Sequence, residues 1–214
     1  MDEDIAIINT NTKNQKIKDF LVKFRKHLIS IFIVIILLIF SYFIYGDFQK
    51  KNKIKIADKY SQLAIDYHSG VKSNIKKDLI EIVKEKDKTY SPLSLYFLLD
   101  NGIITEKNEI NELFDIIINE INLEKEIKNL VIYKKALFNF EFETENNLIK
   151  ILSPIINSES IWKPHALYLM AEYFYYKNEK KKSREFFEKI IALEKNNLSI
   201  KNEAQKRLNR DFSE

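Results

Sequence analysis

Histidine, the carboxylates and glycine are the residues through which this chain could carry out catalysis, and their positions argue against it. The three histidines, His27, His68 and His165, lie in separate segments, and no two have the spacing that puts a pair of imidazoles on one helix face to hold zinc. Cysteine is absent, which removes thiolate metal sites, thiol nucleophiles and disulfides together. Glycine occurs only at 46, 70 and 102, so no phosphate-cradling loop can be written. Glu141, Glu143 and Glu145 alternate in "EFETE". Paired acids can share general acid-base work, but alternating acids between helical segments read as a solvated turn. An enzyme would have to assemble a deep polar pocket that brings His165 to Glu172. The sequence predicts no catalytic residue, no cofactor, no metal and no small-molecule substrate, which leaves binding.

The elements that would position a binding surface begin with an anchor. "LISIFIVIILLIFSYFIY", residues 28–45, has no charge and no proline and contains fourteen Leu, Ile, Val or Phe side chains, in a chain that is 31% charged. As a helix it covers about 27 Å, close to the roughly 30 Å hydrocarbon core of a bilayer. Its insertion is favourable by about 4 to 8 kcal/mol. Tyr42, Tyr45 and Phe48 stand where an aromatic belt meets the headgroups. The exit, "SYFIYGDFQKK", is bulky and then basic, unlike the small-residue site of a cleaved signal peptide. The chain thus divides into a short tail (1–27), a transmembrane helix (28–45) and a folded block (46–214) of a size one core can fill.

Charge narrows the partners. The net charge is only +4, and Lys and Glu are interleaved, as in "EKKKSREFFEK" at 179–189, the mark of solvated helix faces. Nucleic acid is not indicated. The densest basic run, Lys50, Lys51, Lys53 and Lys55, lies just past the anchor and suits anionic lipid headgroups. Lys13, Lys16, Lys18, Lys23, Arg25 and Lys26 precede the anchor, against Lys50, Lys51, Lys53, Lys55 and Lys59 after it, so charge by itself leaves the orientation open.

Beyond the anchor, apolar residues recur at helical spacing throughout, with every glycine and most prolines between or at the edges of the periodic segments. The chain is predicted to be all-α, with helices at about 48–69, 74–86, 92–101, 106–121, 124–141, 145–157, 163–177, 180–195 and 199–210. Residues 1–15 lack sustained periodicity and are expected to be mobile. Gly70 should close the first of these helices, Ser91, Thr105 and Thr144 are cap candidates, and Pro154 should kink or end its helix. Segment 163–177 carries two apolar stripes, Ala166, Leu169, Tyr173 and Tyr176 on one side and Leu167, Met170, Ala171 and Phe174 on another. Such a helix must be covered on two sides.

In "ALYLMAEYFYYKNEKKKSREFFEKIIAL", Leu167, Ala171 and Phe174 precede Ser183, Phe187 and Ile190, the large-small-large then small-large-apolar spacing of a tetratricopeptide hairpin. Similar sets recur upstream at intervals of roughly 34 to 38 residues: Ala136, Leu148, Leu152 and Ile155; Leu98, Ile110, Phe114 and Ile117; Ala64, Tyr67, Ile80 and Val83. This resembles a tetratricopeptide-like α-solenoid of about four helical hairpins plus a capping helix. Together with the charged tail, the anchor, "KKNKIKIADKYSQLAIDY", Trp162 before the aromatic hairpin and Ala204, Gln205 and Leu208 near the end, the layout resembles the ancillary Sec translocon subunit family. That family's soluble domain is related to that of the cell division coordinator.

The resemblance implies a single-pass protein of the bacterial inner membrane, amino terminus in the cytoplasm and repeat domain in the periplasm, whose partners are Sec translocon subunits, periplasmic chaperones or exported chains. On tetratricopeptide geometry, His165, Tyr168, Glu172 and Tyr175 would line the inner surface of the last hairpin, and Leu130, Tyr133, Leu137 and Phe140 that of the one before. These eight residues are the candidate protein-binding groove, since tyrosine offers apolar area with a polar tip. The competing expectation is that the rings pack against neighbouring repeats or the capping helix. The function expected is a membrane-tethered protein-protein interaction adaptor; the alternative is a scaffold for cell-division or envelope-assembly complexes.

Overall fold

A computed structural model of the chain describes residues 2–71, 73–194 and 198–212, and among them every regular element is helical and no strand occurs. The chain divides into two compact units, Met1–Lys55 and Ile56–Glu214. The first is formed by α1 (Asp2–His68), whose part from Ile56 onward belongs to the second. α1 already runs from Asp2, through a segment in which the sequence shows no sustained periodicity: neither glycine nor proline occurs before Gly46 to interrupt the helix. Within α1, Phe32–His68 is long and apolar enough to cross a membrane, and none of its most apolar stretch is covered by protein. Leu37, Leu38, Phe40 and Phe43 stand exposed on it.

The second unit continues with α2 (Ile75–Lys84), α3 (Tyr90–Asp100), α4 (Lys107–Glu120), α5 (Lys125–Asn139), α6 (Glu145–Ile156), α7 (Lys163–Tyr176), α8 (Lys180–Ile191) and α9 (Leu198–Asp211). These follow the periodicity to within a few residues, with α8 the largest overrun. It stops at Ile191, where the Leu193 amide turns back to the Ile190 carbonyl at 3.3 Å; the expected end at 195 lies outside the described residues. Gly70, Gly102 and Asn178 take the left-handed conformation that closes a helix (φ 86°, 60° and 61°). In each case the next amide reaches back to the carbonyl five residues earlier, Val71 to Asp66, Ile103 to Leu98 and Glu179 to Phe174, the Schellman arrangement.

The caps differ from the expectation. Ser91 lies inside α3, fully buried, and donates to the Ile82 carbonyl at 3.0 Å, tying α3 to α2. The α3 start is capped by Asp87, whose Oδ1 accepts from the Thr89 and Tyr90 amides at 2.8 Å each. α4 has Glu106, not Thr105, at its N-cap, with no side-chain bond. Thr144 does cap α6, its hydroxyl accepting from the Asn147 amide at 3.4 Å. Thr144→Ala should therefore cost about 1 kcal/mol in urea unfolding, whereas Thr105→Ala should not shift the midpoint. Pro154 neither ends nor breaks α6, which runs on to Ile156: only the bond to the Lys150 carbonyl is lost, in the final turn.

Packing is local along the chain. Each of α2 to α9 packs on a sequence neighbour, and α2 on α4, α5 on α7 and α7 on α9 pack one element further along. One core cluster joins the end of α1 with α2, α3 and α4 around Leu79, Leu95, Leu98 and Phe114. A second joins α5, α6 and α7 around Ala136, Leu152 and Phe174, and a third joins α7, α8 and α9 around Ala171, Phe187 and Ala204. α7 is covered on two sides, but the second stripe divides between them: Ala166, Leu169, Met170, Tyr173 and Phe174 face the second cluster, Leu167 and Ala171 the third. Tyr176 alone of the eight stripe residues is exposed. The hairpin closes tightly because the facing residues are small: the Ser183 hydroxyl, fully buried, donates to the Ala171 carbonyl at 2.8 Å.

Candidate functional site

The α5 and α7 stripes lie on helices that pack on each other, and an ordered link between α6 and α7 fixes their register. Asn129 on α5 donates to the Ser160 hydroxyl at 3.0 Å, which in turn donates to Glu126 Oε2 at 2.7 Å. The Trp162 amide donates to the same Ser160 oxygen at 3.1 Å. Trp162 is thereby laid flat against Tyr133, ring centroids 5.9 Å apart and planes 22° from parallel, and against His165 at 5.0 Å. Tyr133, Trp162 and His165 form one aromatic cluster.

His165 belongs to that cluster, and the other seven candidate residues divide into three groups. Tyr133 and Phe140 turn toward α7, Phe140 meeting Tyr173 edge-on at 5.8 Å and Tyr176 at 6.0 Å. Tyr168, Glu172 and Tyr175 turn toward α8 and α9. Tyr168 meets Phe187 edge-on at 5.4 Å, Glu172 accepts from Arg207 at 3.1 Å, and Tyr175 lies under the Arg207 guanidinium at 4.6 Å and beside Phe212 at 6.0 Å. Arg207 of α9 and Phe212 just beyond it thus lie against this stripe of α7, the packing alternative considered for these rings. Leu130 is half-buried and Leu137 is 50% exposed, in line along α5 with Ile127 at 44%. That row of α5 is where apolar surface remains open. His165 and Glu172 do not meet in a shared pocket: one belongs to the aromatic cluster, the other to the ion pair with Arg207.

Burial sets the titration of this region. It pushes the Tyr133 phenol up, and with the Glu172 carboxylate nearby it pushes Tyr168 up to about 12, so both remain neutral hydroxyls. Burial also holds His165 below the ordinary imidazole range. The unfolded chain binds a proton near pH 6.5 and the folded chain only at lower pH. Stability from this group is complete above pH 6.5 and is lost as pH falls through the window beneath it. Thermal melting of the native chain should drop across that window more steeply than that of a His165→Gln chain.

No family model, curated protein or solved structure matches this chain. Among the described residues no group of three or more His, Asp or Glu could hold a metal ion. Sequence reasoning missed Arg207 and Phe212, the residues by which α9 grips α7 and α8. The available signal was the i, i+4 spacing of Arg207 and Asp211, paired at 3.1 Å, beside the Ala204 and Leu208 stripe of the same helix.

Proposed function

We propose that this chain is a membrane-tethered protein-protein interaction adaptor whose second unit is a tetratricopeptide-like array. In this reading the end of α1 with α2, then α3 with α4, α5 with α6 and α7 with α8 are four hairpins, and α9 is the cap. Support comes from the packing of α2 to α9 on near neighbours only and from the recurrence of buried residues at intervals of 35 to 38 residues, Leu98, Ala136 and Ala171 on first helices and Phe114, Leu152 and Phe187 on second helices. The helix from Phe32 supplies the tether, which confines the unit near the bilayer and raises the effective concentration of membrane partners.

The observation that carries the reading is the open row on α5. Leu137 stands at the place that Glu172 occupies one hairpin later, but where Glu172 meets α9 through Arg207, Leu137 is half exposed. An amphipathic helix or an extended apolar segment fits such a row. The layout resemblance nominates Sec translocon subunits, periplasmic chaperones or exported chains, with the second unit in the periplasm. A photoreactive side chain at position 137, irradiated in native membranes, should form adducts with those proteins, and one at exposed Lys181 should not. Adducts limited to division proteins would favour the scaffold alternative. Equal labelling from both positions would defeat the reading, and so would a carboxyl-terminal reporter active only in the cytoplasm.

A further inference from the structure

On another side of α5, helices α4 and α6 both pack on it and leave an open groove of about 670 Å³ between them. α4 lines it from Lys107 to Asn119, about 18 Å of helix at 1.5 Å per residue. That is the length of five or six residues of extended chain. Ile118, Ile132 and Ile151 supply apolar lining, one from each helix.

The polar groups around that lining sort by whether they have a partner within the fold. Lys107 pairs with Glu143 at 3.2 Å and Lys135 with Asp115 at 2.7 Å. Asn111 and Asn139 exchange hydrogen bonds at 3.1 and 2.7 Å. Lys150 has no carboxylate partner among the described residues, so the groove carries one surplus positive charge. The Lys150 backbone carbonyl also lacks its usual partner four residues on, because Pro154, exposed in the same groove, has no N–H to give it. The side-chain amides of Asn108 and Asn119, near the two ends of the α4 wall, are likewise without hydrogen bonds among the described residues.

We propose that this groove binds an extended acidic peptide segment. A backbone N–H of the peptide meets the Lys150 carbonyl, a carboxylate meets the Lys150 ammonium, and alternate apolar side chains settle on the three isoleucines. Asn108 and Asn119 pair with peptide backbone groups at the ends, amides being able to donate and accept at once. A single surplus charge and the absence of any aromatic ring in the lining argue against nucleic acid, which needs several cations and stacking surfaces. The site depends neither on the α5 row nor on the identity of any membrane partner.

The test uses the full chain in lipid nanodiscs and a fluorescein-labelled, acetylated hexapeptide of alternating Asp and Ile, read by fluorescence anisotropy. The acidic peptide should bind, its Lys-Ile counterpart should not, and Lys150→Glu should weaken binding at least about tenfold. Pro154→Ala gives the Lys150 carbonyl an amide partner, so it should raise the melting temperature while lowering peptide affinity, a combination that a purely structural role would not produce. The proposal is overturned by no binding up to about 1 mM, by equal binding of the basic peptide, or by affinity unchanged in either variant. Full displacement by millimolar inorganic phosphate would also overturn it, marking a simple anion site.

Discussion

Phe187→Ala should destabilise the second unit by about 3–5 kcal/mol. Phe187 is fully buried where α7, α8 and α9 meet. Its ring lies 5.4 Å from Tyr168, 6.0 Å from Phe212 and 5.6 Å from the Arg207 guanidinium. Truncation removes the transfer free energy of the ring and leaves a void that Ala171 and Ala204, both fully buried and already small, cannot fill by repacking. Against a total of about 5–15 kcal/mol for a domain, that is a large share. Urea unfolding followed by circular dichroism measures it, and hydrogen exchange should show α9 amides losing protection first. A loss under about 1 kcal/mol would mean that α9 is not docked as described.

The second large effect concerns the anchor. Ile36→Asp with Phe40→Asp places two carboxylates one turn apart on a helix stretch that no protein covers. Each charge costs about 2.5–3.5 kcal/mol near the bilayer centre, and each lost apolar residue forfeits about 0.3–0.6 more. The sum, about 6–8 kcal/mol, cancels the estimated gain of 4–8 kcal/mol on insertion. Alkaline carbonate extraction should leave the native chain in the membrane pellet and release the doubly substituted one. Release of the native chain under the same conditions would show that residues 28–45 do not span.

Much of the fold was legible because helix formation is a local periodic signal. The double stripe of 163–177 required cover on two faces, and the second and third core clusters provide it. Gly70 was legible as a terminator because a positive φ suits glycine. The caps were less legible. Ser91 before Pro92 has the residue types of a helix start, yet Asp87 four residues upstream captured the free amides and left Ser91 to bond across to α2. Residue type admits several capping geometries, and only the approach of the neighbouring helix selects among them.

For the candidate site, spacing placed His165, Tyr168, Glu172 and Tyr175 on one stripe but did not say what would lie over it. Stripe membership follows from the 3.6-residue repeat of a single helix, so the chain alone determined it, as it determined the all-helical class and the apolar span. What covers the stripe depends on where a segment more than twenty residues downstream folds back. Tertiary structure alone decided that Arg207 and Phe212 meet Glu172 and Tyr175, that Leu137 stays open, and that α4 and α6 leave a groove between them. Local periodicity is written in each helix separately, whereas cover and gaps arise from how several helices share the limited surface of one neighbour.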